Sequence, residues 1–474
     1  MCWQETVLSR INIKDENSKI VFDSTGIFSS EEFLLFLQKH KISFAFGATV
    51  NEAIEAINQN TKLFVAQIRF NSSFLEQKAE IINFDNTYLP FSINNELLKE
   101  ISTKQLISLL FYYNLTNTPA YLDRSNIAAI IEKAGALIVD KSLKELEIEI
   151  TTIIENVKNY ENLLGLGNIW GKYIYFSFLK GDSPSENMTE KIDQIFEQSI
   201  DQGFLKSSFY ASANSLKTVD KIREYIKESG YKKTALICFD GMGVAEWFLL
   251  KNILSEKGWK FNERMLFALV PTITSISRAA IFSGSFDRIY EKKLDEFREY
   301  SDFLQDKAFK SFKEGELNSP EKLLGIDATA IIYNAFDDAA HSTNFPANMN
   351  DKQLFFRNVK EYLTSSTIIN ELELLKTENY RIFFCADHGS VVSDGIVPRI
   401  EKYLIDQSSK RGTLCKSSEL LDEKDAIRYE IPFVKEKTAL LARKRAIFSN
   451  KNEKIITHGG ITAEELIVPF VEVI

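Results

Sequence analysis

The chain has 474 residues, of which 45% are hydrophobic, and a formal net charge of −9 at pH 7. This length exceeds what one hydrophobic core usually organises, so we expect two or three domains, and the composition excludes a largely disordered chain. The negative charge excludes a globally basic nucleic-acid-binding surface. Four cysteines without a CxxC pair, no export signal and no apolar run of about 20 residues predict a cytoplasmic protein without membrane contact.

The first part of the chain alternates strand-like and helical segments. The strand-like runs are KIVFDS, ISFAFG and KLFVAQIRF, and the helical ones are SSEEFLLFLQKH and VNEAIEAINQN. Ser29 or Ser30 would begin the first helix with a capping box. Because alternating strands and helices imply parallel pairing, we predict a small α/β domain over residues 1–92.

The middle of the chain is dominated by helical patterns. Its long helical segments are ELLKEISTKQLISLLFYY, RSNIAAIIEKAGALIV and KELEIEITTIIENVKNYENLL. Strand signals are few, so we predict a helical domain over residues 93–229.

From residue 230 the strand signals return as continuous apolar runs. These runs are TALICFDGMG, MLFALVPT, ATAIIYNAFD, RIFFCADHG and ELIVPFVEVI. Continuous apolar strands are typical of a mostly parallel sheet covered by helices on both faces, which predicts a third, α/β domain over residues 230–474. Two charged, helix-prone segments, at about 287–322 and 405–425, interrupt it. They are either solvated helices or loops, or a cap over a substrate cleft.

Candidate metal ligands follow several of these strands. They are Asp240 in FDGMG, Asp337 and His341 in FDDAAH, Asp387 and His388 in CADHG, and His458 in THGG. An Asp-Gly or DHG alone is usually a turn, but the ligands of an open α/β sheet converge where its strands end. Three carboxylates and three imidazoles suit Zn²⁺ or Mn²⁺ better than Mg²⁺ or Ca²⁺. Six ligands exceed one zinc site, so we expect two ions. Asp337 and His341 are four residues apart, so on a helical turn they would face the same side and could share one ion.

The segment VPTITSISRAAIFSG is the best place for a nucleophile, because hydroxyl residues there lead from a strand end into a helix. A hydroxyl at that helix N-terminus would meet both a metal and free backbone N–H groups, and we choose Thr274. The alternative is that Thr272, Thr274 or Ser275 is only the helix N-cap. Arg278, on the same helical face as Thr274, could hold a phosphate oxygen or could be a surface arginine.

The order of these motifs resembles the alkaline-phosphatase superfamily, and specifically the PglZ family. The segments that carry the resemblance are FDGMG, PTITSISRAAIFSG, NAFDDAAH, ADHGS and THGGITAEELIVP, within residues 234–474. The resemblance implies an alkaline-phosphatase-like fold with Thr274 as nucleophile. It also implies two ligand sets, which are Asp240, Thr274, Asp387 and His388 for one metal, and Asp337, His341 and His458 for the other. The CxPxR motif of the superfamily's sulfatases is missing, so sulfate ester hydrolysis is not expected.

PglZ proteins are associated with phage resistance, including BREX systems, and related domains act as metal-dependent phosphodiesterases. The resemblance therefore implies a two-metal phosphodiesterase acting on a nucleotide or oligonucleotide, with other phage-defence proteins as candidate partners. One alternative is a non-catalytic interaction module of a phage-defence complex, in which the metal site serves structure or regulation. Another is a phosphomonoesterase or phosphomutase on the same core.

Overall fold

A computed structural model describes most of the chain, and two compact units are found in it. The described residues are 2–15, 17–116, 121–212, 215–285, 288–290, 294–343, 352–397, 405–415, 426–432, 434, 437–449 and 453–474. The units are Met1–Ser142 and Leu143–Ile474. The division into three domains expected from the sequence stays a prediction.

The first unit contains a four-stranded parallel sheet in the order β2-β3-β1-β4. Its strands are β1 (Ser18–Asp23), β2 (Phe44–Phe46), β3 (Leu63–Ala66) and β4 (Ala79–Phe84), with a separate parallel pair of β5 (Ser92–Ile93) and β6 (Tyr121–Leu122). The parallel pairing confirms the predicted α/β pattern. Strand β4 was not predicted, because its sequence AEIINF mixes polar and apolar residues without strict alternation and lacks a continuous apolar run.

Helices connect and follow these strands. They are α1 (Trp3–Arg10), α2 (Glu31–Lys39), α3 (Val50–Asn58), α4 (Ser73–Lys78), α5 (Asn95–Glu100), α6 (Thr103–Thr116) and α7 (Ile127–Ile154), in which the boundary between the units falls. Ser30 is the N-cap of α2 and accepts a hydrogen bond from the Phe33 amide. The predicted capping box is wrong there, because phenylalanine at the third helical position has no side-chain acceptor.

The second unit begins with helices, as the sequence predicted for this part of the chain. The helices of the unit are α8 (Tyr160–Lys180), α9 (Glu186–Asp201), α10 (Phe204–Ser212), α11 (Ile222–Glu228), α12 (Val244–Ser255), α13 (Thr274–Ser283), α14 (Glu296–Leu304), α15 (Ala335–Ser342), α16 (Gln353–Ser365), α17 (Ile368–Thr377) and α18 (Ala463–Leu466). Its strands are β7 (Thr234–Phe239), β8 (Phe261–Phe267), β9 (Phe309–Phe312), β10 (Ala328–Tyr333), β11 (Arg381–Ala386), β12 (Val391–Val397), β13 (Ile405–Ser408), β14 (Gly412–Cys415), β15 (Ala426–Glu430), β16 (Thr438–Ala442), β17 (Ala446–Phe448), β18 (Lys454–Thr457) and β19 (Ile467–Val473).

A six-stranded sheet in the order β8-β19-β11-β7-β10-β9 forms the centre of this unit. Strands β11, β7, β10 and β9 pair in parallel, whereas β19 runs antiparallel to both of its neighbours. Every position of β7 and of β19 is buried. Because successive side chains of a strand point to opposite faces, complete burial requires cover on both faces, and the predicted mostly parallel, doubly covered sheet is confirmed.

The two charged segments contain strands, contrary to the solvated helices or loops that their composition favoured. Within 287–322, β9 forms an edge of the central sheet after α14. Within 405–425, β13 and β14 belong to a four-stranded sheet in the order β13-β14-β16-β15, and residues 416–425 lie outside the described part. These segments form strands because they pair with neighbouring strands and bury positions such as Leu414. The local density of charged residues indicates neither the pairing nor the burial.

Candidate metal centre and nucleophile

The candidate ligands meet because three neighbouring strands end at the same level. In the sheet order β11-β7-β10, the last residue of β7, Phe239, is in register with Tyr333 on one side and Ala386 on the other. Asp240 and Asp387 directly follow two of these strand ends. Parallel strands direct their carboxyl ends to one edge of a sheet, so residues far apart in sequence are gathered there.

The first ligand group consists of Asp240, Asp387 and His388, and all three residues are buried. The Nε2 atom of His388 lies 3.5 Å from Oδ1 of Asp240 and 3.6 Å from Oδ2 of Asp387. These two carboxylate oxygens are buried and have no hydrogen-bond partner among the described residues. Buried carboxylate oxygens are costly to leave unpaired, and a divalent cation between them and the imidazole would satisfy both.

Backbone contacts orient this group. Nδ1 of His388 lies 3.1 Å from the Gly389 carbonyl oxygen, which can only accept, so Nδ1 carries the proton and Nε2 offers its lone pair to the site. The amides of Gly241 and His388 donate to Oδ1 of Asp387 at 3.2 and 3.0 Å. The other Asp387 oxygen therefore faces His388 Nε2, as a ligand would.

Thr274 brings a hydroxyl to the same group. Its Oγ1 atom lies 2.9 Å from Nε2 of His388. Thr274 is the first residue of α13, and the N-cap is Ile273, so none of the three hydroxyl residues proposed as an N-cap occupies that position. Thr272 instead donates to the Gly460 carbonyl at 2.9 Å and accepts from the Gly459 amide at 3.0 Å.

The second ligand group consists of Asp337, His341 and His458. As the spacing predicted, Asp337 and His341 lie one turn apart on α15, with Oδ2 of Asp337 3.3 Å from Nε2 of His341. Nε2 of His458 lies 3.8 Å from Oδ1 of Asp337. Nδ1 of His458 donates to the Thr272 carbonyl at 2.8 Å, which leaves Nε2 free for a metal.

The two groups adjoin each other. The rings of His388 and His458 stack with centroids 3.8 Å apart and an interplanar angle of 11°. The structure thus gathers all seven residues that the sequence singled out as metal ligands, although their assignment to two ions remains a prediction.

Burial is the main cause of the shifted pKa values in this cluster. Burial raises the pKa of Asp387 to about 6, against the lowering effect of Arg278. Burial, and then the charge of Asp387, raises the pKa of Asp240 well above its usual range. Burial and the adjacent His388 lower the pKa of His458 to about 3, so its imidazole is neutral at physiological pH. A neutral imidazole is the form that binds metals, and a divalent cation would favour the ionised carboxylates.

Arg278 is bound into the site by two carboxylates. Its Nη1 atom donates to Oδ2 of Asp240 at 2.6 Å, and its Nε atom donates to Oε1 of Glu296 at 2.9 Å. The side chain is 20% exposed. The surface-arginine alternative is therefore wrong, while its role in holding phosphate stays a prediction.

The glycine after His388 is required by a close approach of two backbones. A Cβ atom at Gly389 would clash with the carbonyl oxygen of Glu464 and lie 2.8 Å from the Cα atom of Gly243. Any side chain there would push apart the loops that carry Asp240 and His388.

A buried ion pair that the sequence did not predict supports the HGG turn. Glu465 Oε1 accepts from the Gly460 amide at 2.8 Å and from Nε of Arg411 at 2.8 Å, and both charged side chains are fully buried. Glu465 belongs to the acidic pair after HGG, in the segment THGGITAEELIVP that carries the family resemblance, so the sequence could have indicated it. Arg411 lies 54 positions away in a segment expected to be solvated, and no local pattern indicated it.

A comparison with protein families matches residues 219–473 to PglZ, the BREX system PglZ alkaline phosphatase-like domain. The chain belongs to the PglZ family. The matched range contains the whole central sheet and all the candidate ligands of this PglZ domain, and its fold is alkaline-phosphatase-like. No curated protein matches the chain.

Several solved structures are similar to the PglZ domain at low identity. An inactive variant of murine ectonucleotide pyrophosphatase/phosphodiesterase 5 in complex with AMP is 12% identical, with a TM-score of 0.35, over 51% of this chain and 87% of that one. Phosphonoacetate hydrolase from Sinorhizobium meliloti 1021 in complex with phosphonoformate is 12% identical, with a TM-score of 0.33, over 51% and 89%. Among the described residues, no helix is both long and apolar enough to cross a membrane.

Proposed function

We propose that this PglZ protein is a two-metal phosphoesterase with Thr274 as nucleophile and Zn²⁺ or Mn²⁺ as the ions. The observation that carries the proposal is the position of the Thr274 hydroxyl, 2.9 Å from His388 Nε2, beside two carboxylate oxygens that have no hydrogen-bond partner in the described part of the chain. A purely structural metal site would not need a half-buried hydroxyl among its ligands.

The residues present fit such ions. Asp240, Asp387 and His388, with the Thr274 hydroxyl, would hold one ion, and Asp337, His341 and His458 would hold the other. Carboxylate and imidazole ligands in this mixture suit zinc and manganese. When bound, the two ions would offset the negative charge of the phosphate and favour ionisation of the nucleophile.

The chain itself would position the nucleophile and the phosphate. Thr274 Oγ1 would lose its proton and form a bond to phosphorus, while the bond between phosphorus and the leaving oxygen breaks and that oxygen takes the electron pair and one proton in place of the one that Thr274 released. Water would then attack the same phosphorus, the bond between Oγ1 and phosphorus would break, and Oγ1 would take a proton from that water, which restores the hydroxyl. As the first residue of α13, Thr274 lies at the positive end of the helix dipole, which favours the anionic phosphate.

A phosphodiester, in a nucleotide or short oligonucleotide, is the substrate that this charge distribution favours. A monoester dianion carries more charge than a diester and gains more from additional cations. Arg278 already contacts Asp240 and Glu296, so its charge is largely offset. Participation in phage defence, together with other defence proteins in the cytoplasm, is the context we propose from the family.

Hydrolysis of bis(4-nitrophenyl) phosphate by the purified chain tests the proposal. Activity is expected with Zn²⁺ or Mn²⁺ and should disappear when EDTA removes the metal. Absence of hydrolysis with every metal tried, on this substrate and on short oligonucleotides, would favour the non-catalytic interaction module instead.

A further inference from the structure

A buried lysine joins the two loops that carry the first ligand group. Nζ of Lys352 donates to Oε1 of Glu246 at 2.9 Å and also to the backbone carbonyl of Ser390. All three residues are buried. Glu246 belongs to neither candidate ligand group, and an ammonium group has no lone pair to offer a metal. The lysine therefore connects two segments of the chain without being a ligand itself.

On one side, Lys352 restrains the backbone that orients His388. Ser390 comes two residues after His388, and the Gly389 carbonyl between them lies 3.1 Å from His388 Nδ1. The Ser390 hydroxyl is also 3.4 Å from Nζ of Lys352. Because the imidazole takes its orientation from the Gly389 carbonyl, a fixed Ser390 also fixes Nε2, the ring atom that would bind a metal.

On the other side, Glu246 contacts the turn that carries Asp240. Glu246 is in the first turn of α12, and the N-cap of this helix, Gly243, ends the FDGMG segment. A Cβ atom at Gly243 would lie 2.7 Å from Oε2 of Glu246 and 3.5 Å from the Cα atom of Gly389. The ion pair therefore lies where the backbones of the two ligand-bearing loops meet.

Stability alone is a poor reason for such a pair. Taking an ammonium and a carboxylate out of water costs about as much free energy as their attraction returns, and apolar side chains of similar size are often equally stable. A buried pair can instead fix the geometry of the segments that it joins. Metal affinity depends on such geometry, because the groups that orient the ligands affect it nearly as much as the ligands do.

We propose that Glu246 and Lys352 are positioning residues for the metal ion expected at Asp240, Asp387 and His388. They hold the two ligand-bearing loops at the separation that this ion requires. The inference deepens the proposed function and rests on it, since it requires that these ligands bind a metal.

Zinc titration of the full chain, in competition with a chelating dye, tests this role by a readout other than turnover. Lys352→Met keeps the length of the side chain but removes the ammonium group. It should weaken zinc binding by about 10- to 100-fold, although every candidate ligand is still present. Thermal unfolding of the same samples measures the stability of each variant.

A double variant separates positioning from stability. Glu246→Met combined with Lys352→Met removes both charges, so the fold should regain most of the stability that the single Lys352→Met change loses. The contact with the Ser390 carbonyl stays absent, so zinc binding should stay weak. Recovery of zinc affinity together with stability would show that the pair is only structural and would overturn the proposal.

Lys251→Met is the matched control. Lys251 is on the same helix as Glu246, and its Nζ pairs with Oε1 of Glu263, on β8, at 2.5 Å. Its replacement should leave zinc affinity unchanged. Unchanged affinity in Lys352→Met, with normal binding by the unaltered chain, would overturn the positioning role alone. No zinc binding by the unaltered chain would overturn the proposed function, and the positioning role with it.

Discussion

The imidazoles of His388 and His458 stack with their centroids 3.8 Å apart, although one follows β11 and the other follows β18. Each ring fixes its Nδ1 proton on a backbone carbonyl, of Gly389 and Thr272 respectively, and leaves Nε2 for its own ligand group. The contact makes the two groups one centre, so we expect changes in either group to affect both metals.

The first prediction concerns metal content. We expect about two zinc or manganese ions per chain, because the two ligand groups adjoin. Asp337→Ala and His341→Ala should each lose at least one ion. Elemental analysis after addition of metal and mild dialysis measures this.

His40→Ala is the matched control for metal content. His40 follows α2 in the other unit, and its ring stacks on Phe36, so it contributes to no ligand group. Its replacement should leave the metal content unchanged. A content near zero in the unaltered protein would contradict the two-metal hypothesis.

The second prediction concerns the nucleophile. Thr274→Ala should abolish hydrolysis of bis(4-nitrophenyl) phosphate, whereas most of the metal should remain, because a hydroxyl holds an ion less strongly than carboxylates do. Thr274→Ser keeps the hydroxyl and should retain measurable turnover. Steady-state rates and metal content of both variants decide the matter.

Thr272→Ala should reduce the rate much less than Thr274→Ala. It removes two hydrogen bonds to the HGG turn, but the Thr272 backbone carbonyl still accepts from His458. We expect a loss of stability of about 1–3 kcal/mol with turnover largely kept. Full activity in Thr274→Ala would mean that water or another hydroxyl attacks.

The third prediction concerns the class of ester. The kcat/KM for bis(4-nitrophenyl) phosphate should exceed that for 4-nitrophenyl phosphate, because Arg278 is the cation beside Thr274 and two carboxylates already offset its charge. Assays of both esters with the same enzyme and metal give the ratio. A higher kcat/KM for the monoester would assign the site to a phosphomonoesterase or phosphomutase.

The fourth prediction concerns the buried pair behind the HGG turn. Glu465→Gln leaves the Arg411 charge buried without its partner and should destabilise the protein by about 3–5 kcal/mol. Thermal unfolding measures the loss. Glu299→Gln is the control, because its pair with Arg288 is partly exposed and is expected to contribute at most about 1 kcal/mol. Equal effects of the two changes would show that burial of the pair is unimportant.

The sequence alone was sufficient for the motifs of the central sheet and for its strands other than the edge strand β9. Continuous apolar runs marked β7, β10 and β11, because a strand covered on both faces can be recognised from its own residues. Because the candidate metal ligands follow those runs, they could be recognised from the sequence as one set. The four-residue spacing of Asp337 and His341 also predicted their contact, since a helical turn is a local structure.

Only the tertiary structure decided which residues meet across the chain. The pairing of Arg278 with Glu296, the burial of Arg411 against Glu465, and the pairing of β14 with β16 depend on partners distant in sequence. A charged residue has the same local sequence whether it is solvated or buried beside an opposite charge. Its environment is set by which segments pack together. For Arg411 that packing, which local periodicity does not indicate, places a fully buried cation behind the HGG turn.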